Sequence, residues 1–84
     1  MSGYRLLVAW DVIEKLNGLP IATRRALKDV IVEIGNSPDL MSDYLEPNDR
    51  GISLDVHLSR GFAIKYWTDF ADRHVKILDI EPAD

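Results

Sequence analysis

Apolar and polar residues alternate strictly along Ile52-Ser53-Leu54-Asp55-Val56-His57-Leu58, the two-residue period of a half-buried β-strand. Ser59-Arg60-Gly61 then supplies a tight turn, in which Gly61 can take the positive φ that such turns need. Phe62-Ala63-Ile64-Lys65-Tyr66-Trp67 reads as the returning strand, rich in aromatic and β-branched residues. Residues 69–73 form a second polar turn, and Val75-Lys76-Ile77-Leu78-Asp79-Ile80 a third strand. Its positions are nearly all apolar, which predicts a central strand covered on both faces.

A three-strand meander needs a cover for its apolar face, and the first half of the chain supplies one. Tyr4-Arg5-Leu6-Leu7-Val8-Ala9 predicts a first strand joining the same sheet. Asp11 reads as an N-cap, with Glu14 completing a capping box. The short helix over residues 12–17 carries Val12, Ile13 and Leu16 as its apolar stripe and stops at Asn17-Gly18. Pro20 opens a longer helix at its first helical position. There Leu27, Val30, Ile31 and Ile34 share one face, while Arg25, Lys28 and Asp29 point away and Val32 is left among the polar residues. Gly35 and Pro38 end that helix near Asn36. Residues 38–51 are rich in turn formers, and Leu40, Met41, Tyr44 and Leu45 are expected to hold this stretch against the domain. The order is β-α-α-β-β-β: an α+β fold, with an N-terminal helical hairpin packed on a mostly antiparallel sheet, forming one domain over residues 1–84.

Composition narrows this further. An apolar content of 46% argues for a packed core over a disordered chain. With no cysteine, disulfides and thiolate metal sites are excluded. No apolar run approaches the ~20 residues of a membrane span, and the N-terminus shows no signal-peptide core. A cytoplasmic protein with no membrane partner is expected. The net charge of −4 is localised, since residues 1–35 and 49–76 each carry five Lys/Arg against four Asp/Glu. The excess acid lies in the loop with Asp39, Asp43 and Glu46 and in the tail with Asp79, Glu81 and Asp84. A sequence pI near 5.0 argues against non-specific nucleic-acid binding, which phosphate neutralisation drives.

Four features together resemble the RelE/ParE superfamily of toxins from type II toxin–antitoxin systems. They are Leu19-Pro20 between the helices, Asn36-Ser37-Pro38 at the helix exit, Gly61-Phe62-Ala63-Ile64-Lys65-Tyr66, and Val75-Lys76-Ile77-Leu78-Asp79-Ile80. The resemblance spans essentially the whole chain. It implies a RelE-like fold and a cognate antitoxin as partner, with the ribosome and mRNA as further partners in the ribonuclease branch. A gyrase-directed, ParE-like toxin and a catalytically inactive binding module are the alternatives it leaves open.

The chemistry departs from the family pattern. Ribosome-dependent cleavage needs a base for the 2′-hydroxyl, cations for the phosphate and an acid for the leaving oxygen. The resemblance leads one to expect Arg or Lys on the outward face of the strand over residues 52–58, a face read here as Ser53, Asp55 and His57. It also implies an Arg where Ala63 stands, and an Arg with a Tyr or His where the chain has Glu81-Pro82-Ala83-Asp84. What remains of a catalytic set is His57 for proton transfer, with Arg60 and Lys65 as phosphate contacts. Bland roles compete with each: His57 as a plain strand residue, Arg60 as a solvated turn residue, Lys65 as a cross-strand partner of Asp55 or His57. Arg24, Arg25, Lys28 and Trp67 are the expected partner-binding residues. Trp10 and Trp67 could stack bases or simply rim the core. His74 is expected to be inert. No metal-ligand spacing joins the two histidines, and no phosphate loop or nucleophile motif occurs, so neither metal nor cofactor is expected.

Overall fold

The computed structural model describes residues 3–83. Its elements are β1 (Arg5–Val8), α1 (Trp10–Asn17), α2 (Ile21–Asn36), α3 (Pro38–Met41), β2 (Tyr44–Pro47), β3 (Ser53–Ser59), β4 (Phe62–Asp69) and β5 (His74–Pro82). The strands form one sheet in the order β1-β5-β4-β3-β2. Strand β1 runs parallel to β5, and every other pair is antiparallel. The α+β class and the helical layer on a mostly antiparallel sheet agree with the sequence reading. Two elements are additional. Residues 38–51 contain a turn of helix and the edge strand β2, where only turn formers were legible.

Local chemistry explains most boundaries. Strands β3 and β4 are joined by a two-residue loop with Arg60 at φ 55° and Gly61 at φ 80°. Two positive φ values in succession give the turn whose twist matches the flanking strands. Helix α2 starts at Ile21, with Pro20 extended just outside it, and its carbonyl accepts from Arg24 N–H. Pro38 does not merely stop α2; it begins α3, because a proline fits the first turn of a helix. The expected capping box at Asp11 does not form. Helix α1 begins at Trp10, with Ala9 as N-cap, so Asp11 falls inside the first turn, where its charge still suits the helix dipole.

The core lies between the helices and one face of the sheet. Val12 and Leu16 of α1 and Leu27, Ile31 and Ile34 of α2 meet Ile64 and Tyr66 of β4 and Val75, Ile77 and Ile80 of β5. Each such side chain contributes roughly 1.5–3 kcal/mol by leaving water. The predicted stripe on α2 is the buried one, with Val30 half-buried at its margin and Val32 exposed. Of the apolar residues in 38–51, only Met41 packs on the core; Leu40, Tyr44 and Leu45 are exposed. Tyr66 donates its hydroxyl to the Pro38 carbonyl at 2.6 Å, tying α3 to the middle of the sheet. Burial, then the Asp55 carboxylate, pushes that phenol well above its ordinary pKa of 10.0.

Strand β5 corrects one expectation. It is interior, between β1 and β4, but it is not covered on both faces. Lys65 pairs with Asp79 while Tyr66 pairs with Ile77, so Leu78 is an extra residue in β5. This bulge lets Ile77 and Ile80, three apart, both face the helices. Leu78 is left 40% exposed on the other side. The high apolar content of this stretch therefore reflects a bulge and not two buried faces.

Candidate functional site

The sheet face turned away from the helices is the open surface of the molecule, and strand register decides what it displays. Directly opposed residues of an antiparallel pair share a face. Val56 pairs with Lys65 and Leu58 with Ala63, whereas His57 pairs with the core residue Ile64 and Asp55 with the core residue Tyr66. The open face of β3 is thus Leu54, Val56 and Leu58, and the row Ser53, Asp55, His57 lies on the helix side. This reverses the expected orientation. From the remaining strands, the open face receives Tyr44 and Glu46, Ala63, Lys65 and Trp67, and Lys76, Leu78, Asp79 and Glu81.

Lys65 sits at the centre of that face between two carboxylates. Its Nζ lies 2.6 Å from Glu46 Oε2 and 2.7 Å from Glu81 Oε1, with its side chain only 16% exposed. The hydrogen bonds with Glu46 and then Glu81 hold the ammonium well above its ordinary pKa of 10.5. It is charged at neutral pH, and two of its three N–H donors are already taken by carboxylates. Lys65 does not pair with Asp55 or His57, because those residues are on the opposite face.

His57 is engaged elsewhere. Its Nδ1 is 2.7 Å from the Met41 carbonyl and 3.3 Å from Asp43 Oδ2. A carbonyl can only accept, so Nδ1 carries the proton. Asp43 Oδ2 also accepts from Leu58 N–H at 2.7 Å. The result is a brace between α3, the start of β2 and strand β3. Arg60 stands exposed at the hairpin tip, with Lys65 roughly 10 Å along the strand from the first residue of β4. The three catalytic candidates are not brought together.

The partner-binding candidates divide likewise. Arg24 donates to the Asn17 carbonyl at 3.5 Å, closing the α1–α2 junction. Arg25 and Lys28 are exposed on α2. Trp67 is on the opposite side of the molecule, half-buried in the open face, with Lys76 Nζ 5.5 Å from its ring centroid. Trp10 does not rim the core; it is 69% exposed at the start of α1.

Several participants were not legible as a site. Glu46 and Glu81 lay in acidic segments, with nothing to mark them as partners of one lysine. At the β4–β5 turn, Asp69, Asp72 and His74 bring potential ligand atoms within 4.8 Å of one another. Asp69 Oδ1 also accepts Asp72 N–H at 3.1 Å, the ordinary work of an aspartate in a turn. Helix α1 is pinned to β5 where β1 has ended: Lys15 Nζ reaches Asp79 Oδ1 at 2.6 Å and the Ile80 carbonyl at 3.1 Å. Among the described residues, no helix is long and apolar enough to cross a membrane.

No protein-family model and no curated protein matches the sequence. Solved structures do match. A chain of the toxin–antitoxin complex RelBE2 from Mycobacterium tuberculosis aligns with a TM-score of 0.79 at 18% identity, over 100% of this chain and 97% of that one. A chain of the archaeal RelE–RelB complex from Pyrococcus horikoshii aligns at 0.79 and 20% identity, over 95% and 94%. A chain of the intact E. coli RelBE toxin–antitoxin complex aligns at 0.75 and 20% identity, over 96% and 98%. The fold is the RelE fold, from end to end.

Proposed function

We propose that this chain is the toxin-type component of a type II toxin–antitoxin pair, bound by a cognate antitoxin in the cytoplasm. We infer further that it lacks ribosome-dependent mRNA cleavage of the usual kind. The first half rests on a RelE fold that covers 95–100% of the chain, in solved neighbours that are themselves toxin–antitoxin complexes. The second rests on one observation: Lys65 is clamped between Glu46 and Glu81, while His57 is on the other side of the sheet. Phosphoryl chemistry needs a cation free to meet the phosphate and a proton-transfer group within reach of it. Arg60, at the hairpin tip, supplies neither role at that place.

The test has two arms. Purified protein incubated with ribosomes and mRNA should leave the transcript intact; cleavage that disappears in His57→Ala would overturn the second half. Co-expression with the product of the adjacent gene should yield a stable complex, and a neighbour that does not bind would sink the first half. A second reading, a RelE-fold binding module without toxicity, is favoured by the same clamp. Induced expression without the partner separates the two, since growth arrest with intact mRNA indicates a target such as gyrase and normal growth indicates the module.

A further inference from the structure

Beside the Lys65 clamp, the open face holds a cleft of about 280 Å³. Its apolar lining is Ile52, Leu54, Trp67 and Leu78, and Arg50 and Lys76 are its cations. Neither cation has a carboxylate within ion-pair distance among the described residues, in contrast to Lys65 and Lys15. Arg50 is presented by a fixed loop: Asn48 Oδ1 accepts from the N–H groups of Arg50 and Ile52, each at 2.9 Å, and Asn48 N–H donates to the Ile52 carbonyl at 2.8 Å. The cleft therefore combines an aromatic and aliphatic floor with two unpaired positive charges.

Two ligand chemistries answer to such a cleft, a polyanionic strand and an acidic segment with an apolar anchor. The surroundings separate them. Immediately past Leu54, the face is lined by Glu46, Asp49 and Asp79 with Arg50 and Lys65. Lys65 is shared by Glu46 and Glu81 and Asp79 is paired with Lys15, which leaves this stretch one carboxylate in excess of its cations. A phosphate backbone continuing across the sheet would run onto those carboxylates, which repel it. A short segment with carboxylates only beside its anchor would not.

We propose that this cleft is the grip for the protein partner, and that the partner offers an acidic segment whose bulky apolar side chain lies on Trp67 and Leu54 while its carboxylates meet Arg50 and Lys76. This rests on the antitoxin reading for who the partner is, but not for what the cleft prefers.

The test uses the full chain carrying Trp10→Phe, an exposed position outside the cleft, so that Trp67 is the sole tryptophan reporter. The probes are the peptide acetyl-Glu-Leu-Glu-Leu-Glu-amide, its lysine counterpart acetyl-Lys-Leu-Lys-Leu-Lys-amide, and a short oligouridine. The acidic peptide should shift Trp67 fluorescence, and the joint variant Arg50→Gln/Lys76→Gln should weaken its binding about tenfold with unchanged circular dichroism. Equal or tighter binding of oligouridine or the basic peptide overturns the proposal, as does the absence of any response to the acidic peptide. The same variant is then tested against the product of the adjacent gene. Capture by wild type and variant alike overturns the grip while leaving the antitoxin reading intact. Peptide binding with no capture by wild type sinks the antitoxin reading and upholds the preference of the cleft.

Discussion

Replacing Lys65 by Met tests the central claim that this lysine serves structure and not phosphate. Methionine keeps an unbranched side chain, one atom shorter, and removes the charge, leaving Glu46 and Glu81 without their shared counter-ion. Contacts of 2.6 and 2.7 Å lie at the short end of charge-assisted hydrogen bonds. Such bonds contribute about 1.5–3 kcal/mol each when enclosed, whereas solvent-exposed ion pairs contribute about 0.2–1 kcal/mol. Lys65 is 16% exposed but its partners are 37% and 45% exposed, so screening brings each contact toward the lower range. About 1 kcal/mol per contact gives a loss of about 2 kcal/mol for Lys65→Met. For a chain of this size that is a fall in Tm of about 8–15 °C, read by circular dichroism at pH 7. The pH dependence has a definite sign. Because the folded-state pKa of Lys65 is raised, its contribution is fully present below the unfolded value near 10.5 and fades as pH rises through the folded one. The gap between wild type and Lys65→Met should therefore be constant from pH 7 to 9 and narrow above about pH 10.5. A double-mutant cycle with Glu46→Gln, and another with Glu81→Gln, isolates each pair. Coupling below about 0.3 kcal/mol in both cycles would refute the clamp and return Lys65 to the list of free cations.

Two further substitutions probe the scaffold. Tyr66→Phe leaves the buried Pro38 carbonyl without its donor and should destabilise by about 1–2 kcal/mol, measured by urea unfolding; a change below about 0.3 kcal/mol would mean α3 is not tethered there. The raised Tyr66 pKa adds that wild-type stability should decline above about pH 10, where the unfolded chain ionises first, and that Tyr66→Phe should lack this part of the decline. Gly35→Ala should stabilise by about 0.5–1 kcal/mol, because Gly35 is helical and a methyl there meets Leu6 carbons no closer than 3.4 Å. A loss of stability would show that α2 and β1 are too close to admit it.

Long, regular signals were legible in the sequence and short, edge-dependent ones were not. The 3.6-residue stripe of α2 named Leu27, Ile31 and Ile34 correctly, because that helix buries one continuous face. The turn at Gly61 was legible because positive φ has few suppliers. Strand β2 was hidden because Tyr44-Leu45-Glu46-Pro47 is a sheet edge: it buries little and ends in a proline, which an edge tolerates and a central strand does not. The helix start was misplaced by two residues, at Asp11, since Ala9, with no side-chain oxygen, took the N-cap. The bulge at Leu78 had no signature of its own.

The orientation of β3 was misread for a related reason, and the error is instructive about two-sided sheets. Alternation in β3 identified two faces but not which one met the helices. The polar row Asp55 and His57 was assigned to the outside, as solvent-facing polarity ordinarily suggests. In the fold the apolar row faces outward instead, on the side away from the helices, although Leu54 and Val56 are themselves buried. The polar row is absorbed at the helix side by α3 and by Asp43, which take up His57 through Met41 O and Asp43 Oδ2. A one-residue slip of register exchanges these faces, so the choice is strongly specified by packing even though periodicity is silent about it. The consequence for function follows directly. An open face whose cleft is lined by Ile52, Leu54, Trp67 and Leu78, and whose central lysine is already paired, suits contact with a protein surface better than the approach of a phosphate chain.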